Sequence, residues 1–332
     1  MRGLKALLVL SAVVAATGAA CAEPLLIRNS YVVPVSNWEP MIVEKKDLAK
    51  HWGKSYVMEA VRYQGTPPMI TALANNELEI ANLAYSTLGI AVENAGISDL
   101  RVIADDFRDG VPGYFSNQFF VRKDSGIKRI EDLKGKVLAT NAIGAGVDIA
   151  MKAGLKRHGL IDKRDFTVIE APLPAMPAML NDKKADLVTA VIPFAFNPML
   201  NEIGVPLFDQ TLGLGPSQFV FWTARQSWID KNRAALIDYM EDMLRIERWY
   251  LDPKNHEEAK QIASKLLKIP ADRFGWLYTK KDYYRDPDMK PDLVALQKNV
   301  DVAVDLGIFK SSVDVKKHSD LSLIEEAAKR LK

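Results

Sequence analysis

The chain has 332 residues, 48% of them hydrophobic and 26% charged, with 44 Lys and Arg against 42 Asp and Glu. The mixed, near-neutral charge argues against a nucleic-acid surface, and a single cysteine, Cys21, excludes a disulfide framework or a thiolate metal cluster. The length exceeds what one core usually organises, so two domains are expected.

The first element is an address. Arg2 and Lys5 precede a short apolar run over residues 6–17, and Ala20-Cys21-Ala22 forms an A-x-A cleavage signature before Glu23. Residues 1–22 therefore read as a signal peptide, which places the mature chain in the periplasm. A lipid anchor on Cys21 is the weaker alternative, because Gly18 stands where such signals usually carry Leu. Cleavage would remove the only thiol and leave 42 cations against 42 anions. No later run is long and apolar enough to span a bilayer.

From residue 25 to about 221, short strand-like pieces alternate with helix-like ones. "LLIRNSYV" precedes a helix starting near Asn37. "SYVMEAVRY" precedes "GTPPMITALANN", and "LEIANLA" precedes "YSTLGIAVENAG". "KVLAT" precedes "GVDIAMKAGLKRHGL", "FTVIEA" precedes "MPAMLNDKK", and "ADLVTAV" precedes "PFAFNPMLNEIG". This rhythm predicts an α/β fold with parallel or mixed sheets covered by helices. From about residue 227 the pattern becomes helical, beginning with "IDKNRAALIDYMEDMLRIERWYL".

Several strand-to-helix joints share one design. Thr66 before Pro67 reads as an N-cap with proline at the first helical position. Asn37, Ser86-Thr87 and the Gly144–Gly146 loop repeat it. Ligands of open α/β sheets bind at the carboxyl ends of strands, where helix starts present unpaired N–H groups. Each cap could equally serve only its own helix.

Catalytic and metal motifs are missing. "GAGVDI" lacks the third glycine of a dinucleotide loop, with Ile149 in its place, and no phosphate loop or G-x-S-x-G elbow occurs. His51, His158, His256 and His318 lie far apart and read as surface histidines. Asp105, Asp106 and Asp109 read as a solvated turn rather than a calcium loop. Asp148 is expected to complement the helix dipole and to pair with Lys152. No catalytic residue, metal site or cofactor is expected.

The segment "IKRIEDLKGKVLATNAIGAGVDIAMKAGLKRHGL" (127–160) resembles a signature of substrate-binding proteins of ABC importers in the nitrate/taurine/sulfonate group. "ALANNELEIANLAYST" (72–87) and "MLNDKKADLVTAVIPF" (179–194) are similar to two further, weaker segments of that family. Where the family often carries Ser or Thr around the glycines, this chain has Ala145 and Val147. The resemblance implies a two-lobed, type II-like periplasmic binding protein fold with a hinge and a helical C-terminal tail. Lobe I would comprise residues 23–118 and 221–332, and lobe II residues 119–220. It also implies a monomer that captures a small organic anion and delivers it to an ABC permease with its ATPase subunit.

Residues at the proposed joints form the candidate site: Tyr31, Asn37, Trp38, Thr66, Tyr85, Ser86, Thr87, Phe115, Asn117, Asn141, Gly144, Ala145, Gly146, Val147 and Phe194. The aromatics would cover an apolar part of the ligand, or else belong to the core. The remaining alternatives are an enzyme on the same two-lobed fold, resembling a pyrimidine synthase, and a binding partner of a sensor.

Overall fold

The computed structural model describes residues 23–332. The signal segment and Cys21 therefore lie outside the described residues. Ten strands form two five-stranded sheets.

The first sheet has the order β2-β1-β3-β10-β4 and uses β1 (Leu25–Tyr31), β2 (Tyr56–Arg62), β3 (Ile80–Ala84), β4 (Leu100–Asp109) and β10 (Ser217–Arg225). β1 runs parallel to β2 and β3, while β10 is antiparallel to β3 and β4. The second sheet has the order β7-β6-β8-β5-β9, from β5 (Gln118–Arg122), β6 (Val137–Thr140), β7 (Thr167–Glu170), β8 (Leu187–Ala190) and β9 (Gly204–Asp209). There β6 is parallel to β7 and β8, and β5 is antiparallel to β8 and β9. The sheets are thus two versions of one plan. The alternation legible in the sequence becomes parallel strands with helical crossovers, and each sheet adds one antiparallel strand beside the crossing of the chain.

Helices fill the crossovers. α1 (Trp38–Glu44), α2 (Pro67–Ala74) and α3 (Tyr85–Gly89), the last continued by a π-helical turn (Ile90–Asn94), belong to the first lobe. α4 (Gly146–Arg157), α5 (Met176–Asn181) and α6 (Pro198–Ile203) belong to the second. α7 (Thr211–Leu214) sits in the return connection. It anchors α4 closely: a Cβ on Gly213 would lie 2.6 Å from the Ala150 carbonyl oxygen, so only glycine permits this approach. The tail supplies α8 (Gln226–Leu251), α9 (His256–Leu267), α10 (Leu293–Asp305) and α11 (Ser322–Arg330), and it packs on the first sheet.

The chain crosses between sheets over 110–117 and returns over 210–216. The expected return at 220/221 falls inside β10, which pairs with β4 from Ser217 onward, so residues 217–220 belong with the first sheet.

The largest departure from the sequence reading is β4. Asp105, Asp106 and Asp109 do not form a solvated turn: all three are buried on a sheet strand. Distant side chains satisfy them. Asn37 and Asn82 amides donate to Asp106 at 2.5 and 2.7 Å. Gln218 donates to Asp105, and Ser116 Oγ and the Asn117 amide donate to Asp109. His318 is likewise buried rather than at the surface, with Nδ1 3.2 Å from the Leu100 carbonyl.

Candidate functional site

A cavity of about 60 Å³ lies between the lobes, at the carboxyl ends of β1, β3, β6 and β8. That is room for a compact ligand of a few heavy atoms, with one water needing on the order of 10–15 Å³ by the same measure. The first lobe contributes Val33, Thr66, Ala84, Phe107 and Phe219 to its wall; the second contributes Asn141, Val147, Leu173 and Ile192. The wall is mostly apolar, and no Lys or Arg among the described residues lines it.

Most of its polar side chains are already engaged. Asn37 Oδ1 accepts from the amides of Val32 and Val33, and its Nδ2 donates to Asp106. Ser36 Oγ donates to the Ile192 carbonyl at 2.6 Å. Tyr283 OH donates to Asn117 Oδ1. Two lining residues retain capacity: Thr66 Oγ1 and Asn141 Oδ1 are buried without a hydrogen-bond partner among the described residues.

Backbone donors come from the start of α4. The loop after β6 turns at Gly144, with φ +85°, a conformation that favours glycine. Its first amides are consumed internally: Ile143 donates to Glu170 Oε1, and Gly144 to Asp148 Oδ2 at 2.8 Å. Ala145 donates to the Ala142 carbonyl at 3.1 Å, and the two amides after it, of Gly146 and Val147, have no protein acceptor among the described residues and stand at the positive end of a twelve-residue helix.

Asp148 pairs with Lys152 at 2.9 Å, as the i,i+4 spacing indicates, but it is fully buried rather than on an open face. Burial pushes its carboxyl up, partly offset by Lys152 and the Gly144 amide.

The other expected site residues lie apart from the cavity. Trp38 is core: it stacks on Tyr278 with centroids 5.2 Å apart, and the Arg285 guanidinium lies 5.0 Å from its ring. Tyr85 OH donates to the Gly146 carbonyl at 2.5 Å. Thr87 caps α3 by exchanging hydrogen bonds with the backbone of Ala84. Ser86 is buried beside it, its hydroxyl without a hydrogen-bond partner among the described residues. Phe115 packs on Phe196 and Tyr283. Asn117 donates to Gln210. Tyr31 ends β1, half-buried. Gly144 faces an outer groove with Asp148 and Lys152, and Phe194 another with Arg62 and Pro172. The structure therefore gathers Asn37, Thr66, Asn141, Ala145, Gly146 and Val147 around one space.

Sequence reasoning missed Ser36, Phe107, Phe219 and Tyr283. Phe219 lies in β10, and its inward register is set by the pairing with β4. Tyr283 arrives from the tail, and no local pattern announces it.

Beneath the first-lobe wall lies a buried acidic layer. Desolvation raises the carboxyls of Asp105 and Asp109 to about 7 and Asp106 to about 6, and drives Glu39 well above the carboxylate range. Asn82 bridges Glu39 and Asp106. Arg285 is the buried cation nearby; it pairs with Asp282 at 2.9 Å and donates to the Ser36 carbonyl.

The family model described as "NMT1-like family" matches residues 30–264. Among solved structures, the periplasmic nitrate-binding protein NrtA from Synechocystis PCC 6803 is 15% identical with a TM-score of 0.72, the alignment covering 93% of this chain and 90% of that one. The alkanesulfonate-binding protein SsuA from Xanthomonas axonopodis pv. citri, bound to MOPS, is 15% identical with a TM-score of 0.70 over 91% and 100%. The desulfurization enzyme DSZB is 13% identical with a TM-score of 0.66 over 93% and 100%. At such identities these likenesses establish a shared fold. Among curated proteins, none matches the chain significantly in sequence.

Proposed function

The chain belongs to the NMT1-like family, and from that premise we propose that it is the extracytoplasmic solute-binding component of an ABC importer. It would hold a compact organic anion, a carboxylate or sulfonate, in the interlobe cavity and release it to a permease. The carrying observation is the pair of amides of Gly146 and Val147, without a protein acceptor among the described residues, at the edge of a largely apolar interlobe cavity. Helix starts bind anions through such N–H groups and the helix dipole. Thr66 would add a hydroxyl donor from the opposite lobe. The nitrate- and alkanesulfonate-binding neighbours support the ligand class.

A wall without cations selects for a single charge. The acidic layer lies behind the first-lobe wall, which favours a ligand whose anionic end stays at α4 of the second lobe. Val33, Phe107, Leu173 and Phe219 would surround the apolar remainder.

The second reading is an enzyme, which the likeness to the desulfurization enzyme keeps in view. The polar side chains lining the cavity are Ser36, Asn37, Thr66, Asn141 and Tyr283, with no Cys, His or carboxylate among them. This set suits holding a solute better than attacking it. Incubating the protein with small sulfonates and carboxylates, then weighing the recovered ligand, separates the readings: a binder returns it unchanged.

A further inference from the structure

A second interlobe space adjoins the cavity. This groove, about 280 Å³ in volume, is bounded on the first lobe by Arg62, Tyr63 and Gln64 at the end of β2, and on the second by Pro172, Pro174 and Phe194. Val32, Val33 and Leu173 line both spaces, so cavity and groove share one wall. Both lie at carboxyl ends of strands, where open α/β sheets take their ligands.

The two spaces differ in charge. The inner cavity has no lining cation among the described residues, whereas Arg62 lines the groove, and no carboxylate lines it. The Arg62 side chain makes no ion pair or hydrogen bond among the described residues, and it is exposed. Its backbone is well held: Arg62 pairs in register with Tyr31 of β1, and the next amide, of Tyr63, donates to the Tyr31 carbonyl at 2.8 Å. Gln64 exchanges hydrogen bonds of 3.0 and 2.9 Å with Asn141 of the facing lobe, which braces the rim. The wall opposite Arg62 competes little for a polar group. Pro172 and Pro174 have no N–H to donate, and Leu173 and Phe194 are apolar. An acceptor group in the groove therefore meets the guanidinium as its charged donor. A guanidinium presents a planar fork of N–H groups that matches a carboxylate.

We propose that the groove is a second subsite and that Arg62 is its specificity-determining residue, taking a carboxylate at the far end of the solute. The cavity holds the first anionic group at α4, and the groove holds the second. The solute is then an elongated dianion whose apolar middle lies along Val32, Val33 and Leu173. The inference rests on the anion site proposed above and extends it by a second charge, which the cation-free inner wall would not accept.

The test is calorimetry with ω-carboxyalkanesulfonates of increasing chain length, each matched to the plain alkanesulfonate and to the ω-amide of the same length. At the best length the doubly charged probe should bind about tenfold more tightly than the alkanesulfonate, and the amide should lose most of that gain. Arg62→Gln should remove the gain, and Arg62→Glu should reverse it, so that the alkanesulfonate binds better than the dianion. Arg62→Lys should keep part of it, because an ammonium retains the charge without the fork. Arg62 is exposed, so these substitutions leave the core intact. Wild-type protein that binds alkanesulfonates but shows no gain at any chain length would overturn the subsite alone. An equal gain in wild type and Arg62→Gln would do the same. Wild-type protein that binds neither probe would overturn the anion site and the subsite together.

Discussion

Two helix starts face the same cavity from opposite lobes, and they differ in what they can offer. α2 begins Thr66-Pro67-Pro68, so its first two positions have no N–H, and the next amide, of Met69, is already bonded to the Thr66 carbonyl at 3.2 Å. α4 begins Gly146-Val147, and both amides lack an acceptor among the described residues. The first lobe can thus present a side-chain hydroxyl, while the second presents backbone donors and the helix dipole. Proline fixes a helix start cheaply but removes the donor; glycine keeps the donor and admits close approach. This asymmetry assigns the anionic end of a ligand to α4.

The sharpest way to break the comparison is Gly146→Ala. The new Cβ would meet Phe219 and, at 3.2 Å, Ala84 Cβ of the facing lobe. Overpacking of this kind costs about 1–3 kcal/mol, so affinity for a small sulfonate should fall by up to roughly a hundredfold in calorimetry. Next comes Thr66→Val, which keeps the shape and removes the hydroxyl. A hydrogen bond to a charged group contributes at least about 1.5 kcal/mol, so affinity should drop about tenfold with little change in melting temperature.

Acidity sharpens the contrast from the first-lobe side. Asp105, Asp106 and Asp109 titrate near 7, 6 and 7 in the folded protein, because burial disfavours their charged forms. Unfolded, an aspartate titrates near ~3.9. The folded state therefore holds more protons between about pH 4 and 7, and stability from these groups is complete below that window and lost as pH rises through it. The melting temperature should rise when pH is lowered from about 8 to about 5.5. A sulfonate, whose own charge stays constant there, should bind several-fold more tightly at the lower pH as the acidic layer neutralises. The smallest effect on binding should come from Thr87→Val. Thr87 caps α3 through Ala84, so its loss should cost about 1 kcal/mol of stability and leave affinity unchanged.

Period and punctuation made the fold legible. Runs such as "KVLAT" and "ADLVTAV" became parallel strands, and the helix starts at Asn37, Thr66 and Gly146 fell where the caps indicated. The candidate site was legible where backbone position decides function, as at Thr66, Asn141, Gly146 and Val147. It was illegible where side-chain direction decides. Trp38 and Tyr85 stand at the joints the pattern picks out. Yet one turns into the core against Tyr278, and the other spends its hydroxyl on the opposite lobe. β4 was misread for a related reason. Three aspartates in "LRVIADDFRD" look solvated until Asn37, Asn82, Ser116 and Gln218 arrive from elsewhere in the chain to satisfy them. Such partners are set by tertiary structure, beyond the reach of local sequence.

The most direct test of the central claim is calorimetric titration with matched pairs: short sulfonates and carboxylates against their neutral amides. The account predicts that a compact anion binds, that its amide binds at least tenfold more weakly, and that Gly146→Ala weakens the anion by up to roughly a hundredfold. Equal affinity for acid and amide would contradict an anion held at the start of α4.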